Sequence, residues 1–177
     1  MNDLPEIRYA RNGDVALAHQ VLGEGPLDLV FFPAFINNLE IAWEDPERAR
    51  FLRRLASFSR LILMDRRGTG LSDRMSPKDL PPLEVLMDDL AVVLDAVGSE
   101  RTALFGFSDA GCLCAIFAAS HPDRITALAL FAVAAVGVAT EDYPWQWTLD
   151  EWDDYFRDLA HRRILRCGPD RPQAGLR

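Results

Sequence analysis

Lysine is nearly absent from this chain. Lys78 stands alone among 19 basic residues, the rest being arginine, which reflects GC-rich coding more than a function. Positive charge as a whole is in deficit: 27 acids leave a net charge of −8 and a pI near 4.8. That balance argues against nucleic acid or an anionic membrane surface as partner. Cysteine is too sparse for a disulfide framework or a zinc site. There are three, and Cys112 and Cys114, two apart on a helix, point in different directions. The longest apolar stretch, Ile125–Ala139, has 15 residues, too few to cross a bilayer. Met1–Tyr9 is polar and lacks the apolar segment of a secretory leader, so a reduced, cytoplasmic protein is expected. Histidine is also rare, with three in the chain, and that scarcity bears directly on the chemistry below.

What is present is enough for one domain with a real core: 177 residues, 49% of them hydrophobic. Ile7–Ala10 and Val15–Leu22, joined by Asn12-Gly13, read as a β-hairpin. Leu27–Ala34 is a continuous apolar run, as in a strand covered on both faces. Pro46–Phe58 has helical spacing, with Ala49, Leu52 and Leu55 inward and Arg50, Arg53 and Arg54 outward. A short strand is expected over Leu61–Asp65, and Leu83–Val97 forms an amphipathic helix ended by Gly98. Thr102–Phe107 and Ile125–Val133 read as buried strands with a helix, Asp109–Ser120, between them. Strands alternating with helices imply an α/β fold with a mostly parallel sheet and helices on both faces.

Beyond residue 140 the texture changes. Residues 1–140 make the core, whereas residues 141–161 are aromatic and acidic. Thr148 and Glu151 form a capping box ahead of a helix over about Leu149–His161, carrying Trp152, Tyr155, Phe156 and Leu159 on one stripe. An amphipathic helix packed on the core explains that stripe, and so does the start of a lid. Residues 162–177 are basic, rich in arginine, proline and glycine, and are expected to be unstructured. Such an ending is what a shifted frame in GC-rich DNA encodes; the genomic sequence downstream of codon 177 tests it.

The densest signal is Thr102-Ala-Leu-Phe-Gly-Phe-Ser108-Asp-Ala-Gly111, an apolar strand that stops at a serine among small residues and becomes helical. This is the pattern of a nucleophile elbow, in which a strained turn lifts the hydroxyl clear of the sheet. The following helix aims N–H groups at the same place. Ser108 also fits the plainer role of helix N-cap. The turn Asp65-Arg-Arg-Gly68-Thr-Gly70-Leu-Ser72 is rich in acid and base, and a structural role accounts for it. Asp109 in the first turn of a helix is explained by the helix dipole alone.

Together, the elbow Gly106-Phe-Ser108-Asp-Ala110, the turn Asp65–Ser72, the segment Asn38-Leu-Glu-Ile-Ala-Trp-Glu-Asp-Pro46 and the helix ending His121-Pro-Asp-Arg124 resemble the α/β-hydrolase family. They look most like hydrolase domains found alone or fused ahead of bacterial adenylate-cyclase domains. The resemblance covers residues 7–160 and implies particular roles. Ser108 is the nucleophile, and the backbone N–H groups of Asp109 and Phe35 form the oxyanion hole, each donor contributing about 3 kcal/mol. It implies no metal and no organic cofactor, and a small ester-like substrate. Ala34 and Ala110 stand where the family commonly has glycine.

A serine hydrolase also needs a histidine base and a carboxylate to orient it, and in this family both follow the nucleophile. His121 lies 13 residues along the same helix, about 20 Å from Ser108. His161 ends the lid-like helix, and His19 precedes the nucleophile on a strand. The family's full fold has eight strands and a lid, so the resemblance implies a truncated member lacking its acid and histidine. Three readings follow: an esterase-like serine hydrolase represented by its N-terminal part, a non-catalytic hydrolase-like sensing or interaction module, or a site completed by a partner chain. The last buried strand would then lie at a sheet edge, and self-association is expected there.

Overall fold

The computed structural model describes residues 4–34, 37–76, 78 and 80–166. Strand β1 (Arg8–Asn12) and β2 (Val15–Leu22) form the expected hairpin, with Asn12 opposite Val15 and Gly13 at a φ of 60° making the tight turn. Then follow β3 (Asp28–Phe32), helix α1 (Pro46–Ala56), β4 (Arg60–Met64), α2 (Leu83–Ala96), β5 (Thr102–Phe107), α3 (Asp109–Ser120) and β6 (Ile125–Phe131). The strands lie in the order β1-β2-β4-β3-β5-β6, antiparallel at β1-β2-β4 and parallel from β4 through β6.

The period of two along the strands divides the core cleanly. Leu29 and Phe31 of β3 and Leu61 and Leu63 of β4 face α1, packing with Leu52 and Leu55. Val30, Phe32, Ile62 and Met64 face the opposite way, against Leu90 and Leu94 of α2 and Leu113 and Phe117 of α3. Pro46 at the first turn and Asp45, which accepts from the Glu47 and Arg48 N–H groups, start α1 where the spacing places it. A fork from Arg60 to Asp28, both bonds 2.7 Å, ties the start of β4 to that of β3, and Arg60 also donates to the Val97 carbonyl. That guanidinium holds the Asp28 carboxyl below the usual carboxylate range.

One expectation fails. The strand beginning at Ile125 lies at the edge of the sheet, as expected, but β6 is not buried on both faces: Leu128 is 40%, Leu130 45% and Phe131 61% exposed. An apolar strand is buried only where another element covers it. Among the described residues of the unit Met1–Ala134, β5 pairs with one side of β6 and no strand pairs with the other.

Residues Ala135–Arg177 form a second compact unit. Its helix α4 (Leu149–Arg166) opens on the expected capping box, with Thr148 Oγ1 and the Glu151 carboxylate bonding each other's backbone N–H groups. The helix continues five residues past its expected end at His161, into the basic segment. The remainder of that segment, 167–177, lies outside the described residues. Phe156 stacks on Trp152, Trp147 and Tyr155 meet these rings tilted or edge-on, and the Trp152 indole donates to the Gly137 carbonyl at 2.7 Å.

Candidate active site

From β3 the chain passes to β4 on one side of that strand and then to β5 on its other side, so the strand order reverses at β3. In open α/β sheets such a reversal opens a crevice at the carboxyl ends of the strands, where ligands bind. Ser108 stands there, between the last residue of β5 and the first of α3. Its φ is 57° and ψ −130°, a conformation that L-residues rarely hold and that costs about 1–3 kcal/mol. Its N–H donates to the Phe131 carbonyl and its own carbonyl accepts from Gly111, so the strained turn is pinned at both ends. The hydroxyl makes no capping bond to α3, so the N-cap reading has no support in the structure.

The small residues around Ser108 are there because the backbones touch. A Cβ on Gly106 would lie 2.6 Å from the Gly111 Cα, and one on Gly111 would lie 2.0 Å from a methyl of Val133. Among the described residues, Ser108 and Ala132 are the non-glycine positions of positive φ. Ala34 and Ala110 are outside the left-handed region, so alanine is tolerated at both. Ala110 is fully buried.

Asp109 begins α3, as expected. Its carboxylate takes a 2.6 Å bond from Arg66, whose guanidinium also lies 5.8 Å from the Phe32 ring. The other proposed donor, Phe35, lies outside the described residues, and so does Ile36. The chain leading to them, Pro33-Ala34, borders an apolar cleft of about 520 Å³ formed with Phe31, Phe51, Phe105, Phe107 and Phe131 and closed by Arg48. A second cleft of about 400 Å³ runs along Arg66–Thr69, Met75, Leu80 and Leu86 to Asp109. Ser108 lines neither cleft; its two chain neighbours line one each.

The turn Asp65–Ser72 is structural, as its sequence suggested. Asp65 is fully buried and accepts from Asn37 Nδ2 at 2.7 Å and from the Leu71 and Leu39 N–H groups at 2.9 and 3.2 Å. Burial outweighs these bonds and raises its pKa above the ordinary carboxylate value. Arg48 donates to Asn37, and burial lowers its own pKa. Arg67 forks onto Asp89, a buried acid of α2 that also accepts from Asn12. Arg48, Arg66 and Asp89 were not singled out from sequence. Asp89 carried a readable signal, since it falls on the same helical face as Leu90, Val93 and Leu94.

In the first unit no histidine reaches Ser108. His121 terminates α3, stacked on Phe117, about 18 Å from the elbow at the rise of a helix. His19 lies buried in β2, three strands from β5, or about 14 Å at the usual strand spacing. Its pKa is lowered by burial, opposed by a bond to the Leu17 carbonyl. His161 is an exposed residue of α4 in the second unit.

A family model for the alpha/beta hydrolase fold matches residues 29–171. Among curated proteins, the putative carbamate hydrolase RutD of Caulobacter sp. (strain K31) is 35% identical over 77 residues, which is 44% of this chain and 28% of that protein. Among solved structures, the esterase RhEst1 from Rhodococcus sp. ECU1013 matches with a TM-score of 0.60 and 28% identity, over 72% of this chain and 46% of its own. The esterase EaEST from Exiguobacterium antarcticum matches with a TM-score of 0.69 and 23% identity, over 88% of this chain and 56% of its own. The chain thus spans about half the length of these solved structures and less of the curated relative.

Proposed function

The chain belongs to the alpha/beta hydrolase family, and on that premise we propose that it is an esterase-like hydrolase in which Ser108 is the nucleophile. The observation that carries this is the strain at Ser108: a non-glycine residue at φ 57° at the strand–helix junction, whose hydroxyl caps nothing. Backbone strain persists where the surrounding structure over-determines it, and here two glycines and two backbone hydrogen bonds do so. In the reaction the Ser108 oxygen attacks the acyl carbon of a small ester or related substrate. The carbonyl electrons move to an oxyanion facing the Asp109 and Phe35 N–H groups, and the alcohol leaves with a proton. Water then attacks the acyl-enzyme and releases the acid.

The proton of the Ser108 hydroxyl needs a base, and the first unit offers no histidine near it. The base that completes the site is then supplied from outside the first unit, and a second chain is one source that can be tested. A fluorophosphonate probe tests the reading. It bonds phosphorus to the serine oxygen and expels fluoride. Wild type is expected to label and Ser108→Ala to lose labelling altogether. Labelling whose rate per molecule rises with protein concentration assigns the base to a second chain. Absence of labelling in wild type overturns the nucleophile reading in favour of a non-catalytic sensing or interaction module.

A second reading concerns partners, and the exposed β6 favours it. Ile125–Phe131 carries no charge, so nothing opposes an edge-to-edge pairing of two copies. We propose that the chain self-associates through this edge. Wild type is expected to elute as concentration-dependent oligomers and Leu128→Lys as a monomer; a wild type that sediments as a monomer at all concentrations would refute it.

A further inference from the structure

Arg66 is poorly explained as a surface arginine. Its side chain is 13% exposed, while the carboxylate it holds, on Asp109, is 44% exposed. An exposed acid gains little from an ion pair, and burying the arginine has a desolvation cost. The contact nevertheless joins three segments that are remote in sequence: the turn after β4, the end of β3 at Phe32, and the first residue of α3. One of these segments leads into the oxyanion hole proposed above, for Asp109 is itself a donor. The positive charge is felt beneath the elbow too. Arg66 acts to lower the pKa of Cys114, against the burial that pushes this thiol up to about 12. Cys114 Sγ lies 3.0 Å from where a Cβ on Gly106 would be.

We propose that Arg66 is the positioning residue of the oxyanion site: by gripping the Asp109 carboxylate it fixes the first turn of α3, and with it the direction of the Asp109 N–H. The inference rests on the reading of Ser108 as nucleophile. It goes beyond that reading in giving a role to a residue that touches neither substrate nor serine. A guanidinium suits the task because its planar fork holds orientation as well as charge, which a lysine ammonium does not.

Fluorophosphonate inactivation kinetics on the full chain separate the maximal rate from the probe's affinity. Arg66→Gln is expected to slow the maximal rate about tenfold with affinity unchanged, because only the transition state uses the donor's direction. Arg66→Lys recovers part of that loss. Asp109→Asn is expected to be at least as slow as Arg66→Gln, and the double variant no slower than Asp109→Asn, since removing the carboxylate already breaks the Arg66 contact. Rates are normalised to the folded fraction from circular dichroism, so that a purely structural role leaves them at the wild-type value. Arg66→Gln reacting as fast as wild type, or slowdowns that multiply in the double variant, overturns the proposal while leaving Ser108 as nucleophile. A wild type that does not label overturns both.

Discussion

Asp65→Ala is expected to destabilise the first unit by about 3 kcal/mol or more, measured as the shift in a urea unfolding curve. The carboxylate is fully buried and is the shared acceptor for Asn37 and for the Leu39 and Leu71 N–H groups. Alanine would take the acceptor from the Leu39 and Leu71 N–H groups and from Asn37, and would remove the nearby negative charge that offsets the burial of Arg48. The turn is built around this group: a Cβ on Gly70 would sit 2.1 Å from one of its oxygens. Asp65→Asn keeps the shape and one acceptor, and is expected to lose less.

The same residue gives a pH dependence with a definite sign. Burial raises its folded pKa above the ordinary 3.8. Between those two values the folded protein binds the proton more tightly than the unfolded chain. The contribution of Asp65 to stability therefore falls as pH rises through that window. Asp28, lowered by Arg60, acts in the opposite sense, adding stability that is lost as pH falls. Comparing wild type with Asp65→Asn across mildly acidic pH isolates the first effect: the difference in stability should move in favour of the asparagine variant as pH rises. A difference that stays constant with pH would contradict the assignment.

Gly106→Ala is expected to have the largest effect at the elbow. The added methyl would meet the Gly111 Cα at 2.6 Å and its nitrogen at 3.1 Å, and backbone cannot rotate aside as a side chain can. Overpacking of this kind costs about 1–3 kcal/mol. The functional loss should be larger, because α3 must retreat and takes Ser108 and Asp109 with it; a displacement of 1 Å costs about 100-fold in rate. Gly98→Ala is the contrast: its φ of 66° strains an alanine, but nothing lies within 4 Å, so about 1 kcal/mol of stability and no labelling should be lost. Equal labelling rates for the two variants would mean that the strand–helix approach does not set the site.

Much of this was legible in the chain because its causes are local. The continuous apolar run in Leu27–Ala34, the short strand at Leu61–Asp65, the spacing of Ala49, Leu52 and Leu55, and the capping box at Thr148 depend on neighbours a few residues away, and each forms the element expected. The elbow was legible for the same reason, since strand, serine and helix are contiguous. The networks were not. Asp65 with Asn37 and Leu39, Arg67 with Asp89 and Asn12, and Arg66 with Asp109 join residues from 22 to 77 positions apart. Charge and polarity in a sequence do not say which partner the fold will supply.

The exposure of β6 marks the boundary most clearly. Composition determined that an apolar strand would run from Ile125, expected to Val133 and formed to Phe131, because β-branched and aliphatic residues in an uncharged run suit a sheet. Whether it would be covered was a question of neighbours, which strand propensity does not contain. For the serine the division is the same. By itself the sequence determined that a serine would stand on a sharp turn between strand and helix. Helix length in the sequence already put His121 out of reach, but only the tertiary structure decided that His19 lies too far away to serve it, since that reach depends on the sheet order between β2 and β5.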